Sequence, residues 1–143
     1  MKAFKYGLEK VLKLRKHYED EAKIELGRAI GVLAELEQKL FALAGEINRA
    51  QEAQFSPQNT AAQIQQYTFY LIRLESLKEQ LLMEAAKAEQ VVEKAREAFI
   101  EASRERKVLD NLKEKKRKDH RKEMLAEETK TLDDISNSKL IEV

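Results

Sequence analysis

The 143-residue sequence contains no cysteine and no tryptophan, one proline and four glycines. Without cysteine, the chain can form no disulfide, no thiol nucleophile and no thiolate metal site. So few turn-forming residues argue against a compact fold made of many short elements. No stretch approaches the roughly 20 apolar residues of a membrane-spanning helix, and the opening MKAFKYGLEK lacks the apolar run of a signal peptide. We therefore expect a cytoplasmic protein.

Charge is abundant but balanced. Charged residues make up 37% of the chain, yet the formal net charge is only +1. A composition rich in Ala, Glu, Lys, Leu and Arg is typical of long helices or coiled coils.

Apolar residues recur at helical spacing along the first third of the chain. The predicted packed face consists of Phe4, Leu8, Val11, Leu14, Tyr18, Ala22, Leu26, Ala29, Leu33, Leu36, Leu40, Leu43, Ile47 and Ala50. From Leu26 onward the steps alternate between three and four, which is the heptad pattern of a two-helix coiled coil. The stretch QFSPQNTAAQ then interrupts the pattern, because Pro57 disfavours helix at the residue before it.

A second apolar series follows the break. It comprises Ile64, Tyr67, Leu71, Leu74, Leu81, Ala85, Ala88, Val92, Ala95, Phe99, Ala102 and Leu109, with Lys78 and Arg106 as polar interruptions. Two helices with one short connection fold back antiparallel. The sequence thus predicts an all-α fold, an antiparallel two-helix coiled coil whose second helix overhangs the first. In one domain spanning 1–143, we expect helix 1 over about 3–52, a turn over 53–60, helix 2 over 61–130 and a frayed acidic tail over 131–143.

A basic stretch lies where the second apolar series stops. From Arg104 to Lys122, ten lysines and arginines stand against four acids. The spacing continues onto Lys113, Lys116, His120 and Glu123, so we predict an unpaired extension beyond the partner helix. The acids that interrupt this stretch and its lack of stacking aromatics disfavour nucleic-acid binding. Residues 113–123 also offer no apolar face for a membrane surface.

The sequence carries no signal of catalysis. A two-helix rod offers no interior for a preorganised pocket, and no glycine-rich phosphate loop is present. The two histidines, His17 and His120, lie on different helices without metal-ligand spacing. We therefore expect a protein that is not an enzyme, with no cofactor and no metal.

Two blocks of the sequence resemble the FliJ family of the bacterial flagellar protein-export apparatus. The first, FKYGLEKVLKLRKHYEDEAKIEL, contains a Leu-x-x-Val-Leu-x-Leu-Arg pattern between Leu8 and Arg15. The second, EASRERKVLDNLKEKKRKDHRKEM, has an Arg-Lys pair, two leucines three residues apart and then basic helix. The later TLDDI, residues 131–135, is similar to the family's ending.

The resemblance implies a stalk similar to the central shaft of rotary ATPases. Its open end would enter the hexameric export ATPase FliI and promote its assembly, and the region nearer the turn would contact the export gate protein FlhA. Export chaperones are further expected partners. The chain would be monomeric when free and would reach the cytoplasmic face of the inner membrane only through its partners.

The resemblance also divides the candidate residues by position. For the ATPase ring they are Leu12, Arg15, Arg104, Lys107, Lys113 and Lys116. For the export gate they are Gln38, Leu43, Tyr70, Leu74 and Leu77. Within YTFYLI, residues 67–72, Phe69 and Tyr70 lie largely off the packed face, as expected of a contact site.

Three other interpretations stay open. The nearest is a stalk protein of a virulence-type secretion ATPase, although the opening pattern favours the flagellar machine. A generic coiled-coil adaptor or chaperone would form a stable dimer or tetramer. A basic nucleic-acid-binding hairpin is third, and its affinity would fall steeply with salt.

Overall fold

The computed structural model describes residues 3–141, and over this range it contains two long helices packed against each other and no strand. Helix α1 spans Glu9–Gln54 and helix α2 spans Ala61–Ile141. The predicted all-α helical hairpin is confirmed. Over residues 3–141, neither helix includes a stretch that is both long and apolar enough to cross a lipid bilayer.

The connection between the helices is fixed by side-chain caps. The side-chain amide of Asn59 donates to the carbonyl oxygens of Ala53 and Gln54 at 2.6 and 3.1 Å, and the Ala53 oxygen also accepts from the Ser56 amide, so the last carbonyls of α1 have partners. Thr60 and Gln63 then form a capping box at the start of α2. The Thr60 amide donates to Gln63 Oε1 at 2.8 Å, and the Gln63 amide donates to Thr60 Oγ1 at 3.3 Å.

Both outer helix ends differ from the sequence-based expectation. Helix α1 begins at Glu9 rather than near residue 3. Helix α2 continues to Ile141, past the predicted end near 130, so the predicted frayed tail is helical as far as it is described. Residues 142 and 143 of that tail lie outside the described range. Helix α2 continues past residue 130 because the sequence has no proline or glycine after Pro57 to stop it.

The contacts divide the chain into two units. The turn unit comprises Glu21–Phe99, and its core joins Leu43, Ala50 and Leu74. Packed against that core are Ile47, Tyr67, Leu71 and Leu81. Further buried residues of this unit are Ala29, Ala85, Ala88 and Val92. The heptad spacing predicted from Leu26 onward therefore describes the packing of this unit.

The terminal unit contains the residues up to Asp20 and those from Ile100 onward. Here the predicted packed face of α1 is wrong. Glu9, Leu12, Arg15 and Glu19 are buried or half-buried. The predicted face is exposed instead, at Leu8, Val11, Leu14 and Tyr18. Long polar side chains can occupy such positions, because their stems pack while their charges find partners on α2.

The basic stretch of α2 is partly covered, which corrects the prediction of an unpaired extension starting there. Lys113 pairs with Glu9 across the two helices, with 2.8 Å between Nζ and Oε2. Farther along, the rings of Phe4 and His120 lie 5.5 Å apart between centroids. The extension without a partner begins later: every side chain from Leu125 to Ile141 is exposed.

Candidate functional site

Ion pairs join the two helices of the terminal unit. Besides the pair of Lys113 with Glu9, an Arg15 guanidinium nitrogen donates to Glu105 Oε2 at 2.7 Å. Arg106 Nε donates to Glu19 Oε2, also at 2.7 Å. These pairs align α1 and α2 here through charge, where the turn unit uses apolar side chains.

Arg106 and Glu19 are the most enclosed charges of this group. The side chain of Arg106 is 24% exposed, and it pairs with Glu19 across the helices and with Asp110 one turn along α2. The hydrogen bond from Arg106 lowers the pKa of the Glu19 carboxyl below its ordinary value of 4.5, while burial opposes that effect. The same two carboxylates raise the pKa of Arg106. Arg106, which interrupts the second apolar series of the sequence, is therefore a paired charge within the packed face.

The segment before α1 also packs on α2. The Tyr6 hydroxyl donates to the Leu109 carbonyl oxygen at 3.2 Å, and Tyr6 is 8% exposed. Its neighbour Phe4 contacts His120, as described above. The aromatic residues of the FKYGLEK opening thus hold the chain end against the basic stretch of α2.

The outer surface of the terminal unit combines cations with apolar side chains. Arg104, Lys107 and Lys116 are exposed, and Arg104 has only a 4.0 Å contact with Glu101. An exposed apolar row consists of Leu8, which directly precedes α1, and of Val11, Leu14 and Tyr18 on α1. A shallow groove beside this row is lined by Val11, Arg15, Glu105, Val108 and Leu109. Both kinds of group are available to a protein partner.

The turn unit exposes aromatic side chains. Phe41 and Phe55 are 84% and 78% exposed, and Phe69 is 59% exposed. Tyr70 is partly exposed and lines a depression with Ala50 and Ala53 of α1. Large exposed aromatics on a two-helix surface mark a contact site for a protein.

Within residues 3–141, the structure brings together no three His, Cys, Asp or Glu side chains that could hold a metal ion. The surfaces described above are open and lie along helices. Their chemistry suits protein contacts, through exposed cations at the terminal unit and exposed aromatics at the turn unit.

Comparison with known families decides the relationship. The family model described as the flagellar FliJ protein matches residues 4–142. The chain belongs to the FliJ family. No curated protein and no solved structure matches it significantly. Membership of the FliJ family connects the chain with flagellar protein export, in a family of non-catalytic helical proteins.

The residues that the FliJ resemblance assigns to an ATPase ring all lie in the terminal unit. Among them, Leu12 is wholly buried, so its side chain packs within the helix pair and offers no surface to a partner. Arg15 and Lys113 are engaged by Glu105 and Glu9. The remaining three, Arg104, Lys107 and Lys116, are exposed.

The residues assigned to the export gate all lie in the turn unit. Leu43 and Leu74 are each 5% exposed and belong to the core. Tyr70 and Leu77 are partly exposed. Gln38 is exposed and lies two residues from both of the half-buried Leu36 and Leu40, which places it on the opposite face of α1. The structure therefore brings Tyr70 and Leu77 onto one surface but not Gln38.

Several exposed residues were not predicted as site candidates. They include Leu8, Val11 and Leu14 in the terminal unit and Phe41 and Phe55 in the turn unit. Phe41 and Phe55 carry a signal in the sequence, since neither fits the apolar spacing of a packed face. The apolar row of the terminal unit carries no such signal, because its residues have the same spacing as the residues of a packed helix face.

Proposed function

We propose that this chain is the non-enzymatic stalk of a flagellar protein-export ATPase. Its terminal unit enters the hexameric ATPase FliI and promotes assembly and activity of the ring. Its turn unit contacts the export gate protein FlhA, and the chain also engages export chaperones. Its location at the cytoplasmic face of the inner membrane follows from those partners alone.

The observation that carries this proposal is the family match over residues 4–142 together with the surface of the terminal unit. A stalk that enters a ring needs groups on its outer surface that contact the ring, while its own helices stay paired. Arg104, Lys107 and Lys116 are exposed in this unit, and the charges between the helices are already paired. The exposed cations support contact with carboxylates of the ring.

Two exposed side chains of the gate set, Tyr70 and Leu77, support the second contact. Tyr70 and Leu77 lie seven residues apart on α2, which keeps both on one face of the helix. Aromatic and aliphatic side chains that are exposed in the free protein form the centre of many protein interfaces, where the partner buries them.

The test is the steady-state activity of the cognate export ATPase with and without this chain. The native chain should stimulate ATP hydrolysis, and the Arg104→Glu, Lys107→Glu, Lys116→Glu variant should not. The matched control is Arg73→Glu, Lys87→Glu, Lys94→Glu, which makes the same change of charge in the turn unit and should still stimulate. Circular dichroism checks that both variants are helical.

Each other outcome has a consequence. If the native chain changes neither the rate nor ring assembly, the stalk function is wrong and the adaptor interpretation returns. Equal loss in both triple variants would show that overall charge, and not the terminal unit, governs the interaction. Sedimentation adds an independent reading, because a stable dimer or tetramer of the native chain favours the adaptor.

A further inference from the structure

One side of the turn unit carries a groove between α1 and α2, which we call the side groove. Its apolar residues on α2 are Tyr70, Leu77 and Val91, separated by seven and fourteen residues. Val32 and Ala53 line it on α1, also a multiple of seven apart. Residues at this spacing remain on one helix face, so the depressions at the two ends of the groove lie on the same side of the helix pair. The row positions between them are Lys39 and Glu46 on α1 and Leu77 and Glu84 on α2.

Small side chains form the floor at one end of the side groove. Ala29 and Ala88 are 7% and 8% exposed, and the depression above them is bordered by Val32 and Val91. Val32 and Val91 are themselves 54% and 55% exposed. An apolar side chain from a partner can enter there as a knob between the two helices.

The α2 wall of the side groove is positively charged. Arg73, Lys87 and Lys94 are exposed, and each lies three residues beyond a position of the groove row. One of those row positions is the exposed Glu84, so the wall keeps a net positive charge from three cations and one acid. Within residues 3–141 these three cations form no ion pair. Their neighbours differ: Lys78 and Arg96 pair with Glu75 and Glu93 of the same helix.

The α1 wall has its charges already balanced. Arg28 pairs with Glu25 at 2.6 Å, and Lys39 lies 3.6 Å from Glu35. Glu46 and Arg49, which line the other end of the groove, form no ion pair within residues 3–141 but cancel each other in sign. The excess charge beside the groove is therefore on α2 and is positive. A partner that lies in the groove gains most when its acidic residues face that wall.

We propose that the side groove binds an amphipathic α-helix of a partner protein, with apolar residues at heptad spacing and acidic residues along the flank that faces α2. The groove borders the packed face between α1 and α2. A helix bound there packs against both of them and forms the third helix of a coiled coil. Tyr70 and Leu77 also belong to the proposed gate contact, and for these two residues the inference rests on the proposed function.

A helix fits the side groove better than an extended peptide does. Groove residues seven apart repeat about every 10.5 Å along α2, which matches the heptad repeat of a second helix. Side chains on one face of a strand repeat about every 6.6 Å and fall out of register with them. The row from Tyr70 to Val91 corresponds to a partner helix of about six turns.

The experiment uses two synthetic helical peptides of six turns, labelled with a fluorophore. Both carry leucine at heptad spacing, and their flanking positions are glutamate in one and lysine in the other. Fluorescence anisotropy measures binding to the full chain. The acidic peptide should bind saturably, and the basic peptide at least about ten-fold more weakly.

Variants locate the binding surface. Arg73→Glu, Lys87→Glu, Lys94→Glu should weaken binding of the acidic peptide about ten-fold or more. The control Arg104→Glu, Lys107→Glu, Lys116→Glu makes the same change of charge in the terminal unit and should leave binding unchanged. Val32→Ser with Val91→Ser should also weaken binding, since it removes the apolar borders of the groove.

Three results would overturn the inference. They are absence of saturable binding of the acidic peptide, equal binding of both peptides, and equal loss in both triple variants. The same two triple variants are measured for ATPase stimulation. Because stimulation and peptide binding are expected to be lost in opposite variants, failure of one proposal is distinguishable from failure of the other.

Discussion

Nε of Arg106 lies 2.7 Å from a carboxylate oxygen of Glu19, so a charged pair joins the two helices of the terminal unit at a half-buried position. The hydrogen bond lowers the pKa of Glu19 in the folded state below the ordinary value of 4.5. A lowered folded-state pKa contributes stability that is present above the unfolded pKa and is lost as the pH falls through the folded pKa. We expect the free energy of unfolding to decrease as the pH is lowered from about 5 towards 3.

Glu19→Gln separates this effect from general acid sensitivity. The variant should be less stable than the native chain at neutral pH, since Arg106 loses a charged acceptor. Its stability should change less with pH, so that the two urea-unfolding curves converge in acid. Parallel pH profiles of the two proteins would show that this pair contributes nothing to the acid response.

Leu12 and Leu14 distinguish packing from partner binding. Leu12→Ala removes a wholly buried side chain and should cost about 2–5 kcal/mol in the free energy of unfolding. Leu14→Ala changes an exposed side chain and should cost less than about 0.5 kcal/mol. Urea unfolding followed by circular dichroism measures both.

Leu14→Ala has a second expected result in the ATPase assay. If the exposed apolar row of α1 takes part in the ring contact, this stable variant should stimulate the export ATPase less than the native chain does. Full stimulation would remove Leu14 from the ring-binding surface and leave the exposed cations as the candidates.

The capping box at the start of α2 is tested at Thr60. Thr60→Ala removes the hydroxyl that accepts from the Gln63 amide and should lower stability by about 1 kcal/mol. Thr60→Ser keeps a hydroxyl and should retain most of the native stability. A thermal unfolding midpoint that is the same in all three proteins would contradict a stabilising role for this cap.

The C-terminal extension should contribute helix but little stability. Because every side chain from Leu125 to Ile141 is exposed, a chain that ends at Met124 should unfold within about 0.5 kcal/mol of the native chain. Its helical circular dichroism signal should decrease in proportion to the residues removed. A large fall in stability would mean that the extension is packed in solution.

The sequence predicts the turn unit well for identifiable reasons. Its packed face is made of aliphatic residues at heptad spacing from Leu26 onward, and Pro57 marks the turn that separates the two helices. In the terminal unit the same approach assigns the wrong face of α1, because Glu9, Arg15 and Glu19 pack where apolar residues were expected. Apolar periodicity cannot detect a face that is held by paired charges.

Sequence-based prediction is also limited at the helix ends and at the candidate site. No proline or glycine follows Pro57, and the acidic residues beyond 130 predict a frayed tail although nothing in that segment stops a helix. For the site, Arg104, Lys107 and Lys116 were predicted from the sequence resemblance and are exposed. Leu12 was chosen in the same way and is buried, since spacing alone did not give its orientation.

The charged pairing of the terminal unit has a consequence for how its sequence can vary. A substitution at Glu19 leaves Arg106 half-buried with one acceptor fewer, whereas an exchange of the two charges restores an attraction. The same holds for Glu9 with Lys113 and for Arg15 with Glu105. These positions should therefore change in pairs among relatives, one from each helix, and such covariation would record the register of α1 against α2.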